Sequence, residues 1–231
     1  MERLKLNKKG FTLAETLITL GIIGIVAALV MPAQITKYQK NTTVEKLKKV
    51  MSELNQAMKI SQTANGDYSE WTKPDSNFTY DDFNNQYLIP YMKVSKICST
   101  YSSCGYKAPY PWKYTNNTTL YPYLLVDEDS HPFRLSDGTL IKFYSRNINQ
   151  TRELMFFIDL NGALGPNRFG RDVFNFEIND KGYLTSYPAA HGSRNNLNSI
   201  KEYCAPNSNV GTYCARKIEY DGWKIKDDYP W

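Results

Sequence analysis

The chain opens with a polar, basic stretch of ten residues, interrupted by Leu4 and Leu6, and then turns apolar on every face. Phe11 to Met31 reads Phe11-Thr12-Leu13-Ala14-Glu15-Thr16-Leu17-Ile18-Thr19-Leu20-Gly21-Ile22-Ile23-Gly24-Ile25-Val26-Ala27-Ala28-Leu29-Val30-Met31. About 20 such residues cross a bilayer as a helix. Pro32 follows, removing a backbone donor and crowding the preceding turn, so a kink or local melting is expected there. From Gln34 the pattern becomes amphipathic. Val44, Leu47, Met51, Leu54 and Met58 recur at three- and four-residue steps with Val50 beside them, while Lys46, Lys48, Lys49 and Glu53 fall off that stripe. Such a stripe buries one helix face, and it is expected to pack on the chain's own sheet. Asn65-Gly66 is a stop signal. A single helix from Phe11 to about Thr63 would be roughly 80 Å long.

The periodicity then changes. Asp67 to Tyr123 is rich in Pro, Asn, Ser, Thr and Tyr, with helical turns expected near Tyr80–Tyr87. Gly138–Arg146, Glu153–Leu160, Val173–Asn179 and Tyr183–Tyr187 are short, β-branched and aromatic. Asp137-Gly138, Asn161-Gly162 and Lys181-Gly182 punctuate them. This predicts an antiparallel sheet of about four strands, with Tyr123–Val126 a candidate for an earlier one. A long helix followed by an antiparallel meander is an α+β arrangement. After Pro188 the strand signals stop. The polar tail to Trp231 is expected to dock through Cys204, Cys214 and its terminal aromatics, because untethered termini are poorly ordered.

Charge singles out one residue. Glu15 lies inside the apolar run, where a carboxylate at the helix centre costs at least ~2.5 kcal/mol. A secretory signal peptide cut near Ala27-Ala28 or Ala33 would have a shorter apolar run without an acid. A plain single-pass anchor leaves Glu15 without purpose. A buried core helix would be less uniformly apolar.

Lys8-Lys9-Gly10-Phe11-Thr12-Leu13-Ala14-Glu15 resembles the class III signal of type IV pilins and type II secretion pseudopilins. The resemblance is strong over the first thirty to sixty residues, and Pro32 fits it too. It implies that a prepilin peptidase cuts after Gly10 and methylates Phe11. It implies that Glu15 meets the new amine of Phe11 on a neighbouring subunit and sets register in assembly. The implied partners are that peptidase, other pilin or pseudopilin subunits, and an inner-membrane assembly platform. The implied organisation is a leader at 1–10, a membrane or filament-core helix at 11–32, the amphipathic half of the helix at 33–64, and an extracytoplasmic headgroup at 65–231. The implied fold is pilin-like, anchored in the inner membrane by one pass and then built into a pilus or pseudopilus.

Composition trims this picture. The net charge is +5, but Arg3, Lys5, Lys8 and Lys9 against Glu2 place +3 of it in the leader, leaving +2. That is no nucleic-acid footprint, and no basic groove interleaved with aromatics offers a clear site for single strands. Cations flank both ends of the apolar run, so charge bias does not set its orientation. The four cysteines form two close pairs, Cys98 with Cys104 and Cys204 with Cys214. In an extracytoplasmic domain such pairs read as disulfides, and of three connectivities the two local ones are expected. Four reduced thiols are the alternative. Zinc is disfavoured, since neither pair is C-x-x-C and the histidines are only His131 and His191.

Headgroup chemistry centres on the run from Asp159 to Asp172. Asp159, Asn161, Asn167 and Asp172 offer oxygen ligands of the kind calcium takes, beside a turn-forming Gly162. The spacing is not an EF-hand, though the stretch looks similar to the calcium-binding β-loops of some pseudopilins. The plain alternative is a loop whose Asp and Asn cap their own backbone. No cofactor is required; calcium is the one candidate. No phosphate loop or G-x-S-x-G occurs, and the histidines have no evident Ser or Cys partner, so no enzyme is expected. Asp127, Glu128 and Asp129 read as a solvated turn. Eighteen tyrosines would suit an adhesive surface, but a Tyr-rich core and surface explains them more simply. The leading function is a structural pilus subunit. The alternatives are a secretion pseudopilin and a membrane-anchored binding domain that never polymerises.

Overall fold

The computed structural model describes residues 10–120, 130–148, 151–188 and 196–231. The leader before Gly10, the candidate strand Tyr123–Val126, the cluster Asp127, Glu128, Asp129 and the loop residue His191 lie outside those residues. The chain divides into two compact units, Met1–Lys40 and Asn41–Trp231.

One helix, α1 (Leu13–Asn65), runs through both units. It begins at Leu13 because Thr12 caps it. It continues through Pro32 without a break, so the local melting expected there does not occur. The proline removes only its own N–H from the ladder, and the turn after it stays closed, with Thr36 Oγ1 donating to the Pro32 carbonyl at 3.0 Å. Gly66, at φ +80°, ends the helix in a conformation that costs glycine nothing.

In the second unit the stripe Val44, Leu47, Val50, Leu54 and Met58 is buried in one core with the sheet. That sheet is a six-stranded antiparallel meander in sequence order. Its strands are β1 (Val94–Ile97), β2 (Phe133–Leu135), β3 (Leu140–Ile148), β4 (Thr151–Asp159), β5 (Val173–Ile178) and β6 (Leu184–Ser186). The last four are the strands the sequence predicts. The first two are too short for a period to be read, and β1 is mostly exposed. Leu140 pairs with Asp159 and Phe143 with Phe156, and Phe156 pairs in turn with Phe176. Side chains alternate across a strand, so Ile141, Phe143, Phe156, Ile158, Phe174 and Phe176 share one face. Lys142, Tyr144, Phe157, Asp159, Asn175 and Glu177 share the other.

Both faces are covered. Phe83, from the short helix α2 (Tyr80–Phe83), stacks on Phe143 at 4.8 Å on the first. On the second, Trp112 meets Phe157 edge-on at 5.4 Å, and Phe169 meets it at the same distance. The outer edge of β6 is closed by α1, as Leu184 N–H donates to Asn55 Oδ1 at 2.7 Å and Asn55 Nδ2 donates back to the Leu184 carbonyl at 3.3 Å.

The tail docks as expected, and it is helical where sequence gives no periodic sign. It forms α3 (Leu197–Tyr203) and α4 (Cys214–Tyr220), burying Ile200, Ile218 and Tyr229. Tyr229 is fully enclosed and donates to the Gly170 carbonyl at 2.7 Å. Cys98 is bonded to Cys104 and Cys204 to Cys214, with Cα separations of 5.6 and 4.9 Å.

Candidate functional site

Gly10 and Phe11 precede the helix in non-helical backbone, and Phe11 is 88% exposed. Glu15 closes the first turn on Thr12. Its Oε2 accepts from the Thr12 backbone N–H and from the Thr12 hydroxyl, both at 2.8 Å, while Thr12 Oγ1 accepts from the Glu15 N–H at 3.3 Å. This is a reciprocal capping box. It places a carboxylate at the positive end of the helix dipole and leaves the Gly10–Phe11 bond just outside the helix. The T-x-x-E spacing before an apolar run carries that signature, and it is the partner of Glu15 that sequence reasoning passed over.

The other polar side chains in the run are also satisfied locally. Thr16 Oγ1 donates to the carbonyls of Thr12 and Leu13 at 3.0 and 2.9 Å, and Thr19 Oγ1 to that of Thr16 at 3.0 Å. Hydrocarbon demands such self-sufficiency. The segment has a mean hydropathy of 2.3 and is long and apolar enough to cross a membrane. Leu13, Leu17, Leu20, Ile25 and Leu29 are all exposed. A Cβ added at Gly21 or Gly24 would touch nothing, so the chain's own packing does not require glycine at either position.

The headgroup loop brings Asp159, Asn161, Asn167 and Asp172 together. Asp159, at the end of β4, is wholly buried. Its Oδ2 accepts from Tyr106 Oη at 2.7 Å and Trp112 Nε1 at 2.9 Å, and its Oδ1 from the Asn161 N–H at 3.3 Å. Burial, and then the charge of Asp172, push its carboxyl well above the usual range, against the pull of those hydrogen bonds. Burial also raises Asp172, although Asn167 N–H and Arg168 N–H donate to its two oxygens at 2.8 and 2.7 Å. The carboxylates therefore clamp the segments around them. The amide oxygens do not: Asn161 Oδ1 and Asn167 Oδ1 are buried with no donor. Two amide oxygens without a donor thus lie in the loop that carries the two raised carboxyls. Among the described residues no three His, Cys, Asp or Glu side chains gather to hold a metal, so any such site would lean on the amides.

His131, which looks unpartnered in sequence, is held by Asp81. Asp81 Oδ1 accepts the His131 backbone N–H at 2.7 Å, and Oδ2 meets the ring Nδ1.

An apolar helix with a capped carboxylate beside a Gly-Phe bond, leading into an α+β headgroup, defines a pilin-type protein. Residues 5–31 match the prokaryotic N-terminal methylation motif, the signal of type IV pilins and pseudopilins. Residues 33–231 match a family of unknown function (DUF6613), and the chain belongs to that family. No curated protein matches the chain. No solved structure matches it either.

Proposed function

We propose that this protein is a structural subunit of a type IV pilus-like filament, cut after Gly10 and N-methylated at Phe11. The observation that carries the reading is the capped Glu15 turn beside the Gly10–Phe11 bond, inside a matched methylation motif. In the free subunit Thr12 satisfies the Glu15 carboxylate. Once Gly10 is removed, the Phe11 amine of a neighbouring subunit offers a stronger partner, because opposite charges attract far more in low dielectric than in water. The anchor is a single pass of the inner membrane with the headgroup outside, and the role is structural rather than enzymatic. Mass spectrometry of the mature chain should find a methylated Phe11 as the first residue. An intact Met1 would instead mean an anchored binding domain.

A secretion pseudopilin is the second reading, since the matched N-terminal signal is common to pilins and pseudopilins. Filaments outside the cell support the pilus; loss of protein secretion on deletion supports the pseudopilus. We further propose calcium as the cation for Asp159, Asn161, Asn167 and Asp172, where it would supply positive charge to two donorless amide oxygens. Millimolar calcium should raise the melting temperature of the wild type and not of Asn161→Ala. An equal response of the two chains removes calcium from that loop.

A further inference from the structure

Asn84 is 1% exposed, and neither its Nδ2 nor its Oδ1 meets a partner. Among the described residues it is the only side chain with two buried polar atoms left unmet. A buried amide without hydrogen bonds loses its hydration for nothing in return. Leucine has almost the same shape and would carry no such penalty. The backbone is irregular at the same place. Asn84–Leu88 is a π turn, in which the Ile89 N–H reaches back five residues to the Asn84 carbonyl. Such turns are rare insertions in a helix and cluster at functional sites.

The flanks are firmly held. Ahead of the turn, Thr79 and Asp82 form a capping box and Asp81 grips His131. Just ahead of it Phe83 stacks on Phe143, and within it Tyr87 stacks on Trp71 at 4.3 Å with the rings 5° from parallel. The unmet amide of Asn84 thus lies between two well-packed aromatic anchors, Phe83 and Tyr87. Asp82, Asn85, Gln86 and Pro90 are exposed on the same segment. A neighbour can therefore bear on it without opening the core.

We propose that Thr79–Tyr91 is a two-state element. The packing described here belongs to the unassembled subunit. Contact with a neighbouring subunit draws the segment into a second packing in which the Asn84 amide is hydrogen-bonded. The neighbour has to supply only the difference between the two states. This inference rests on the filament reading above.

The test uses the full-length chain with Asn84→Leu, and Asn84→Ala in case leucine disturbs folding. In detergent, the substitution should raise the melting temperature by about 3 °C. It should also slow amide exchange over residues 85–91 by about tenfold. In an assembling host, incorporation into filaments should fall by about fivefold. An unchanged or lower melting temperature in both variants overturns the proposal, since the amide is then satisfied. A higher melting temperature with wild-type incorporation also overturns it, since assembly then makes no use of the unmet amide. Either result leaves the filament reading standing. A wild type that keeps Met1 and forms no filament removes that reading and the switch together.

Discussion

Leu20 and Leu47 lie on the same helix, yet they answer to different solvents. In the first unit Leu20, Ile25 and Leu29 are exposed around the helix, and every polar side chain described in the apolar run is satisfied within its own turn or the one before. In the second unit Leu47, Leu54 and Met58 are buried, and polar partners come from distant sequence, as Asn55 does with Leu184 and Lys49 with Asp137. The first unit leaves its apolar surface uncovered by its own chain. The second buries most of the large apolar side chains described in it. Substitutions in the first should therefore be read in assembly and membrane insertion, and those in the second in melting.

The largest expected effect belongs to the first unit. On the proposed filament reading, Glu15→Ala should leave cleavage after Gly10 largely intact while lowering incorporation into filaments by about tenfold or more, since that reading makes Glu15 one partner of a low-dielectric pair. Quantitative blotting of membrane and filament fractions measures it, and wild-type incorporation would end the assembly role of Glu15. The comparison is sharpened by one pair of like substitutions. Leu47→Ala should cost about 2–5 kcal/mol of headgroup stability, the usual range for truncating a buried leucine. Leu20→Ala should leave headgroup melting unchanged. Equal melting of the two variants would mean that the units are not energetically distinct.

The sequence makes long, strongly periodic features legible. The apolar run, the Val44–Met58 stripe and strands β3 to β5 each span enough residues to show a period, whereas β6, three residues long, is marked instead by the turn residues Lys181-Gly182 ahead of it. The capping box is legible too, as T-x-x-E at Thr12–Glu15, which gives Glu15 a partner within its own turn. β1 and β2 were not legible, being four and three residues long, with Pro132 just ahead of Phe133. The helices α3 and α4 were hidden for a different reason. Each is seven residues long and buries few apolar side chains of its own. Tertiary contacts hold them: the Cys204–Cys214 bond and Tyr229 beneath Gly170. In the candidate cation loop, residue types were readable but the division of labour was not. Only three-dimensional packing reveals that the carboxylates are already engaged while the amide oxygens are free.

Next in size is the tail's covalent tie. Replacing both Cys204 and Cys214 with serine removes a bond that closes a ten-residue separation, and such a loss costs about 2–4 kcal/mol. Melting of the headgroup should fall accordingly, and proteolysis should begin in the tail. Processing at Gly10, which the first unit governs, should not change. A processing defect in that variant would break the separation between the units.

The smallest effect tests how the tail is held electrostatically. Lys217 is buried in α4, with its Nζ 2.7 Å from Asp228 and 3.3 Å from Asp221. Asp221 also pairs with Lys226 at 2.7 Å. The Lys217 hydrogen bond holds the Asp228 carboxyl below its ordinary value near 3.8. A carboxyl depressed in the folded state contributes stability that is fully present above the unfolded value and is lost as pH falls through the folded one. Asp228 is itself largely exposed, so solvent screening keeps the contribution small. Asp228→Asn should therefore lower the melting temperature by about 1–2 °C at pH 7. The gap to the wild type should close as the pH is taken below ~3.8, where the unfolded carboxyl is protonated, and on through the folded value. Identical melting at pH 7 would show that Asp221 alone suffices for Lys217. A gap that widened in acid would reverse the sign of the linkage and place the stabilising charge elsewhere in the tail.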